Sequence, residues 1–241
     1  MTRTIIRTQP TVKNPGDTRQ PRLVVTIDGP AGAGKSTVAR LLAARLGYVY
    51  LDTGALYRAL AWKVRAAGVN PVDSQAVADL LPSTRIQMDQ HPDRPRIYVD
   101  SREVTDEIRT PEISRLASLV STIPAVREWL LPVQRQIGAD GGVVAEGRDL
   151  GTKVFPQADV KFFLEADAEV RTSRRQQELA AAGKAAPLDE TRHELLARDH
   201  ADRTRDLAPL IPAADATVIE TSTLDVEQVI DRMMAVVATK L

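Results

Sequence analysis

The chain has 241 residues, with 32 Lys+Arg against 32 Asp+Glu, 43% hydrophobic and 27% charged residues. That length fits one ordinary domain or a domain with a modest insertion, and the composition supplies a sizeable core and argues against global disorder. The zero charge balance and the 4% aromatic content argue against nucleic-acid binding, and no apolar run approaches the ~20 residues that span a bilayer. The absence of Cys excludes disulfides and thiolate metal sites and fits a reducing, cytoplasmic compartment, while only His91, His193 and His200 are available as imidazoles.

Residues 1–21 read as a flexible basic arm. Arg3, Arg7, Lys13 and Arg19, continued by Arg22, face the single acid Asp17, and Pro10, Pro15 and Gly16 break any helix. No apolar segment follows, so a secretory signal is not expected; an organellar transit peptide is the alternative to a plain arm.

Leu23 to Ile27 is a continuous β-branched and apolar run, the pattern of a strand buried on both faces of a parallel sheet. After a glycine-rich turn, Val38, Leu41, Leu42 and Leu46 have helical spacing that Gly47 ends. Tyr48–Leu51 predicts a short second strand, and Leu56–Ala67 a helix stopping at Gly68. Between Thr84 and Asp106, Ile86 with Met88 and Ile97 with Val99 alternate with polar residues, and Asp100 to Glu103 could turn the chain, which predicts a small antiparallel insert with Pro92 and Pro95 in its loops. Val143–Ala145, Val160–Leu164 and Ala216–Ile219 predict three more strands, each followed by a helical stretch. The last helix starts at Ser222 or Thr223, with Val226, Val229, Ile230, Met233 and Val237 on one face. Strands alternating with helices imply right-handed crossovers and an α/β fold with a parallel sheet covered on both sides.

Gly29-Pro30-Ala31-Gly32-Ala33-Gly34-Lys35-Ser36 matches G-x-x-x-x-G-K-[ST] between a predicted strand and a predicted helix, the context this P-loop motif requires. Glycines let successive N–H groups point inward as a nest for phosphate oxygens, and the helix start adds its positive dipole end. Lys35 can reach the β- and γ-phosphates, and the Ser36 hydroxyl can ligate Mg²⁺; Asp28 and Thr37 flank the set. A chance match in a chain of this length is on the order of one per cent. The guanine-reading tetrapeptide N-K-x-D is missing, which argues against a GTPase, and the length leaves little room for the coupling domain of a motor.

Four further segments carry clustered charge. Asp52-Thr53-Gly54-Ala55-Leu56-Tyr57-Arg58 follows the second strand, with Thr53 as a helix cap and Arg58 about one and a half turns in. Glu146-Gly147-Arg148-Asp149 ends the Val143 strand at a carboxyl edge, where open α/β sheets bind ligands. Arg198, Asp202 and Arg205 share one helical face and Asp199, Arg203 and Asp206 the next, while Arg171, Arg174 and Arg175 form another basic group. Solvated, salt-bridged helix faces are the alternative reading of these charges.

With these segments in hand, the chain resembles bacterial-type cytidylate kinases, members of the nucleoside monophosphate kinases, from about Leu23 to the C-terminus. The matching stretches are Ile27–Pro30 with Gly34–Thr37, Asp52–Arg58, Gly147–Thr152 with Val154-Phe155-Pro156, and Arg198, Asp202–Arg205 and Ala208-Pro209-Leu210. The resemblance implies transfer of phosphate from ATP to CMP or dCMP with Mg²⁺. It also implies a three-layer P-loop fold with a five-stranded parallel sheet, a monophosphate-binding insert at about 80–107 and a mobile lid at about 174–198, within a kinase domain over 22–241. By the same resemblance, Gly29, Pro30, Ala31, Gly32, Ala33, Gly34, Lys35, Ser36 and Thr37 bind ATP, and Ser36 holds Mg²⁺. Arg58, Arg148 and Arg205 cage the acceptor phosphate, Thr53, Ser118, Arg127 and Asp149 read cytosine, and Arg198 and Asp202 contact ribose. Lys35, Arg148 and Arg205 are the catalytic set, and Arg174 and Arg175 belong to the lid. Glu146 departs from the family, which often has Asp there. A UMP, AMP or shikimate kinase of the same fold is the runner-up, and a nucleotide-dependent switch is the alternative from another class. A cytoplasmic monomer that uses ATP and CMP or dCMP, and engages neither nucleic acid nor membrane, is the expected state.

Overall fold

The computed structural model describes residues 22–89, 95–181, 183–184 and 186–241; the arm over residues 1–21 and Pro92 lie outside the described residues. Two compact units are formed: residues 52–140, and residues 22–51 with 141–241.

The second unit is built on a five-stranded parallel sheet. Its strands are β1 (Val24–Asp28), β2 (Val49–Asp52), β6 (Val143–Glu146), β7 (Val160–Glu165) and β8 (Thr217–Glu220), in the order β2-β6-β1-β7-β8. The central strand β1 runs parallel to both neighbours, with Val25 opposite Val144 on one side and Val160 on the other. Its apolar run is explained by that position, since both faces are covered. Val38, Ala39 and Leu42 of α1 (Lys35–Leu46) and Ile230, Met233 and Val237 of α8 (Val226–Ala238) join Val25, Ile27, Phe162 and Leu164 in one buried cluster. The edge strand β8 departs from the buried-strand expectation: only Ile219 is buried, and Val218 is half exposed.

Local chemistry shifts three predicted boundaries. The second helix, α2 (Thr53–Ala66), begins earlier than the apolar pattern suggests because Asp52, not Thr53, is its cap: the carboxylate accepts from the Ala55 N–H at 2.9 Å. Helix α8 begins later than Ser222 because Asp225 and Gln228 form a reciprocal capping box, while Ser222 bonds back to Glu220. The helix expected after the Val143 strand is only one π-helical turn, Leu150–Val154, closed by the Phe155 N–H donating to the Leu150 carbonyl and stopped by Pro156. The remaining helices of this unit are α6 (Ala168–Ala181) and α7 (Leu188–Thr204), packed on each other.

In the first unit, α2 packs against α4 (Pro111–Val120), accompanied by α3 (Ser74–Leu80) and α5 (Pro124–Gly138). The predicted insert is present as an antiparallel sheet of β3 (Ile86–Asp89), β4 (Arg96–Val99) and β5 (Arg102–Glu103). The β4–β5 turn places Asp100 and Ser101 at φ 49° and 73°. Asp100 holds that strained turn by accepting from the Arg85 N–H and pairing with Lys63, both at 2.8 Å. Trp62 of α2 donates to Glu107 at 2.9 Å, and the Arg102 guanidinium lies 5.1 Å above its ring, so the insert is tied to the helix that precedes it. Among the described residues, no helix is long and apolar enough to cross a membrane.

The start of β6 lies directly on the start of β1, and Gly141 permits this. It sits at φ 63°, and a Cβ there would fall 1.7 Å from the Arg22 carbonyl oxygen. Gly141→Ala is expected to lose more than about 2 kcal/mol in urea unfolding, with the midpoint falling and the slope unchanged.

Candidate active site

The phosphate-binding motif occupies the turn from β1 into α1. Gly29, Gly32 and Gly34 take φ values of 147°, 76° and 88°. Gly29 is held by space as well as by angle, because a Cβ would meet the Leu164 carbonyl oxygen at 2.3 Å. Gly34 is the helix N-cap and has no side chain to cap with, while its carbonyl accepts from Thr37 and Val38 at 3.1 and 3.2 Å. Ser36 and Thr37 are exposed on the first helical turn, but Lys35 is buried and its Nζ donates to the Pro30 carbonyl at 2.6 Å. Burial first, then the Arg148 and Arg198 charges, push the Lys35 ammonium down to about 7 against the pull of Glu146 and Asp28.

Asp28, at the end of β1, carries a role its sequence position did not reveal. Its buried carboxylate accepts from the Leu150 and Gly151 N–H groups at 2.9 and 2.8 Å, fixing the first peptides of the π-helical turn. The loop bearing Arg148 and Asp149 is thereby anchored to the strand that delivers the phosphate loop. Burial outweighs those two bonds and pushes the Asp28 carboxyl up to about 6. Glu146, at the end of β6, accepts from the Tyr50 hydroxyl at 2.5 Å.

Around this edge the charged segments converge. Arg148 donates through Nε to Asp202 at 3.1 Å and through a terminal nitrogen to the Gly147 carbonyl at 3.0 Å. Arg205 lies 3.6 Å from Asp202 and 3.7 Å from Asp149, and Arg198 lies 4.0 Å from Asp202. Burial raises the Asp202 carboxyl, but the charges of Arg148, Arg198 and Arg205 together outweigh it and hold it below the ordinary carboxylate range. The solvated-helix reading is therefore wrong for Asp199 and Asp202, both of which are buried. Arg205 does not continue the helical face as expected. It is the C-cap of α7 in an extended conformation, its Nε donating to the Ala208 carbonyl at 2.7 Å. Five predicted acceptor-site residues, Arg148, Asp149, Arg198, Asp202 and Arg205, thus form one linked cluster.

The first unit holds the other four. Thr53 is buried at the start of α2, and Arg58 bends back to Asp52 at 2.7 Å. Gly54 makes room for this, since a Cβ would lie 3.0 Å from the guanidinium and 3.1 Å from the carboxylate. Burial raises the Asp52 carboxyl, yet Arg58 and Arg109 together pull it below its ordinary value. Arg127 of α5 donates to the Ser121 carbonyl at 3.3 Å and its guanidinium lies 5.7 Å above the ring of Tyr57, a partner the sequence gave no reason to choose. Ser118 is half-buried on α4. Of the two arginines expected in a lid, Arg174 donates to the Thr221 carbonyl at 2.7 Å and Arg175 pairs with Glu178 at 3.1 Å.

Among the described residues, no cluster of three His, Cys, Asp or Glu side chains could cage a metal ion. An exposed hydroxyl on the first turn of α1 is the donor expected for Mg²⁺ that arrives on a triphosphate and keeps most of its ligands as water and phosphate oxygen. Ser36 fits that ion.

A parallel sheet with a glycine-rich loop of the phosphate-binding pattern at the carboxyl end of its central strand, and an arginine cluster in the same unit, defines a P-loop α/β protein. Residues 25–239 match the family described as cytidylate kinase, and the chain belongs to that family. It is 44% identical over 219 residues to the cytidylate kinase of Desulfitobacterium hafniense, covering 91% of this chain and 94% of that one. It is 46% identical over 212 residues to the cytidylate kinase of Pelotomaculum thermopropionicum, covering 88% and 94%. A solved structure of an uncharacterized protein from Eubacterium ventriosum shares the fold at a TM-score of 0.50 and 12% identity, covering 90% of this chain and 98% of that one.

The Asp28 environment has a consequence for stability. A carboxyl whose folded pKa of about 6 exceeds its unfolded value of 3.8 binds protons more tightly in the folded state, so its contribution to stability grows as pH falls through 6. Urea unfolding at pH 7.5 and 5 is expected to show wild type gaining about 1 kcal/mol relative to Asp28→Asn at the lower pH. An unchanged difference would contradict the buried, proton-hungry carboxyl.

Proposed function

We propose that this chain transfers the γ-phosphoryl group of ATP to CMP or dCMP, giving ADP and CDP or dCDP. The observation that carries the reading is the linked cluster of Arg148, Asp149, Arg198, Asp202 and Arg205 in the same unit as the phosphate loop, within a cytidylate kinase family member. In it, residues Gly29–Thr37 cradle the donor triphosphate, Arg148 and Arg205 hold the acceptor phosphate, and Arg198 and Asp202 contact the ribose. Thr53, Arg58, Ser118 and Arg127 are the acceptor-nucleotide residues of the other unit. Residues 80–107 are the monophosphate-binding insert, 174–198 the lid with Arg174 and Arg175, and the enzyme works as a monomer.

An acceptor phosphate oxygen attacks the γ-phosphorus while the bond to the oxygen bridging the β- and γ-phosphates breaks, and ADP leaves. The attacking oxygen is already anionic, so no strong general base is needed and the poor histidine content is no obstacle. The difficulty is bringing two polyanions together in line. Lys35, Arg148 and Arg205 offset that repulsion and stabilise charge on the group in flight. Mg²⁺ held by Ser36 and the triphosphate oxygens would supply further charge neutralisation. Lys35 leaves the Pro30 carbonyl to meet the phosphates, whose charge favours its ammonium form.

Base selection follows from Asp149. Cytosine offers an amino donor at N4 that a carboxylate can accept, whereas uracil presents a carbonyl there and would leave a buried carboxylate facing an acceptor. In a coupled ADP-release assay with CMP, dCMP, UMP and AMP, kcat/KM for CMP is expected to exceed that for UMP at least tenfold. Comparable values would remove Asp149 from base reading. Lys35→Ala is expected to lower kcat at least a hundredfold with an unchanged circular dichroism spectrum, and near-wild-type turnover would remove the lysine from the phosphate clamp.

A further inference from the structure

Two side chains that bracket the lid segment are spent on the phosphate loop. Arg171 of α6 and Asp199 of α7 form a buried ion pair, each less than 10% exposed. Both also bind the same loop residue: the Ala31 carbonyl accepts from Arg171 at 3.1 Å, and the Ala31 N–H donates to Asp199 at 3.4 Å. Arg171 is itself braced by the Ala166 carbonyl, which accepts from its Nε at 2.8 Å. One turn further along α6, Arg174 donates to Thr221, whose hydroxyl makes a long bond of 3.4 Å to the Ala33 carbonyl. The glycine between these two loop residues lies so close to α6 that a Cβ on Gly32 would meet the Arg171 carbonyl oxygen at 2.8 Å.

The trans peptide plane gives this arrangement its meaning. In each peptide the C=O and the following N–H point in opposite directions. Holding the Ala31 carbonyl against Arg171 therefore turns the Gly32 N–H the other way, and holding the Ala33 carbonyl does the same for the Gly34 N–H. A phosphate nest works only if such N–H groups converge in advance, because a loop that must order itself on binding gives up affinity.

We propose that the Arg171–Asp199 pair positions the phosphate loop for the donor nucleotide, orienting its peptides from the base of the lid. Both are positioning residues: they act on ATP through the Ala31 peptide and make no contact with the acceptor. Arg171 lies three residues before the 174–198 segment and Asp199 directly after it, so the pair also fixes the two points from which that segment extends. This inference rests on the reading of the loop as the ATP site.

The test is titration of ADP into wild type, Asp199→Asn and the double variant Arg171→Leu/Asp199→Leu, with KM for ATP and CMP measured on each. Asp199→Asn is expected to weaken ADP binding and raise KM for ATP at least tenfold, with KM for CMP within twofold of wild type. That single change strands a buried guanidinium, whereas the double variant removes both charges and relieves that cost. The double variant is expected to melt cooperatively and still show the ADP defect. Equal rises in both KM values, recovery of ADP affinity in the double variant, or failure of both variants to fold would each overturn the proposal, leaving the pair as a determinant of folding alone. If wild type itself binds no ADP, the reading of the loop as a nucleotide site fails first.

Discussion

Positive charge crowded at the carboxyl edge of a buried sheet is the constraint on which this structure turns. Lys35, Arg148, Arg198 and Arg205 lie close enough for Arg148 and Arg198 to depress the lysine and for three arginines to converge on one carboxylate. Such a group holds together only because Asp202, Asp149 and Glu146 are interleaved with it, and each of those carboxylates is itself buried. Unlike charges are kept in balance by geometry, and Arg148, Arg198 and Arg205 are held in place by the carboxylates between them. Orientation of this kind lets electrostatics act on a transferring phosphoryl group without reorganisation at the moment of reaction.

The same edge is organised from the backbone outward. Asp28 ends the central strand with its carboxylate on two peptides of the neighbouring turn, so the phosphate loop and the Arg148–Asp149 loop share one anchor. That carboxylate satisfies the first two N–H groups of the π-helical turn, which no helix can satisfy from within. Arg171 and Asp199 do for the loop's third residue what Asp28 does for the loop opposite, using a buried pair where a strand end is out of reach.

Much of this was readable in the chain. The β-branched run through Ile27, the glycine spacing before Lys35 and the alternation at Ile86, Met88, Ile97 and Val99 each record a local periodicity, and each element formed where that periodicity lies. Boundaries set by side-chain caps were harder, because Asp52 and Thr53 are both good caps in isolation and only the Ala55 N–H decides between them. The charges of α7 were the least readable. Arg198, Asp199, Asp202 and Arg203 look like an exposed ion-paired helix in sequence, yet Asp199 and Asp202 are buried, since their partners Arg171 and Arg148 come from segments 28 and 54 residues away.

What the sequence determined alone was the class of fold, the phosphate loop and the family, because these rest on short-range patterns and contiguous motifs. What only the tertiary structure decided was partnership: that Asp28 grips the turn after Arg148, that Tyr57 lies beneath Arg127, and that Arg171 and Asp199 meet over Ala31. The physical reason is that a charge declares its sign in the sequence but not its surroundings. Desolvation and pairing between distant segments are settled only when the sheet assembles and the helices close over it.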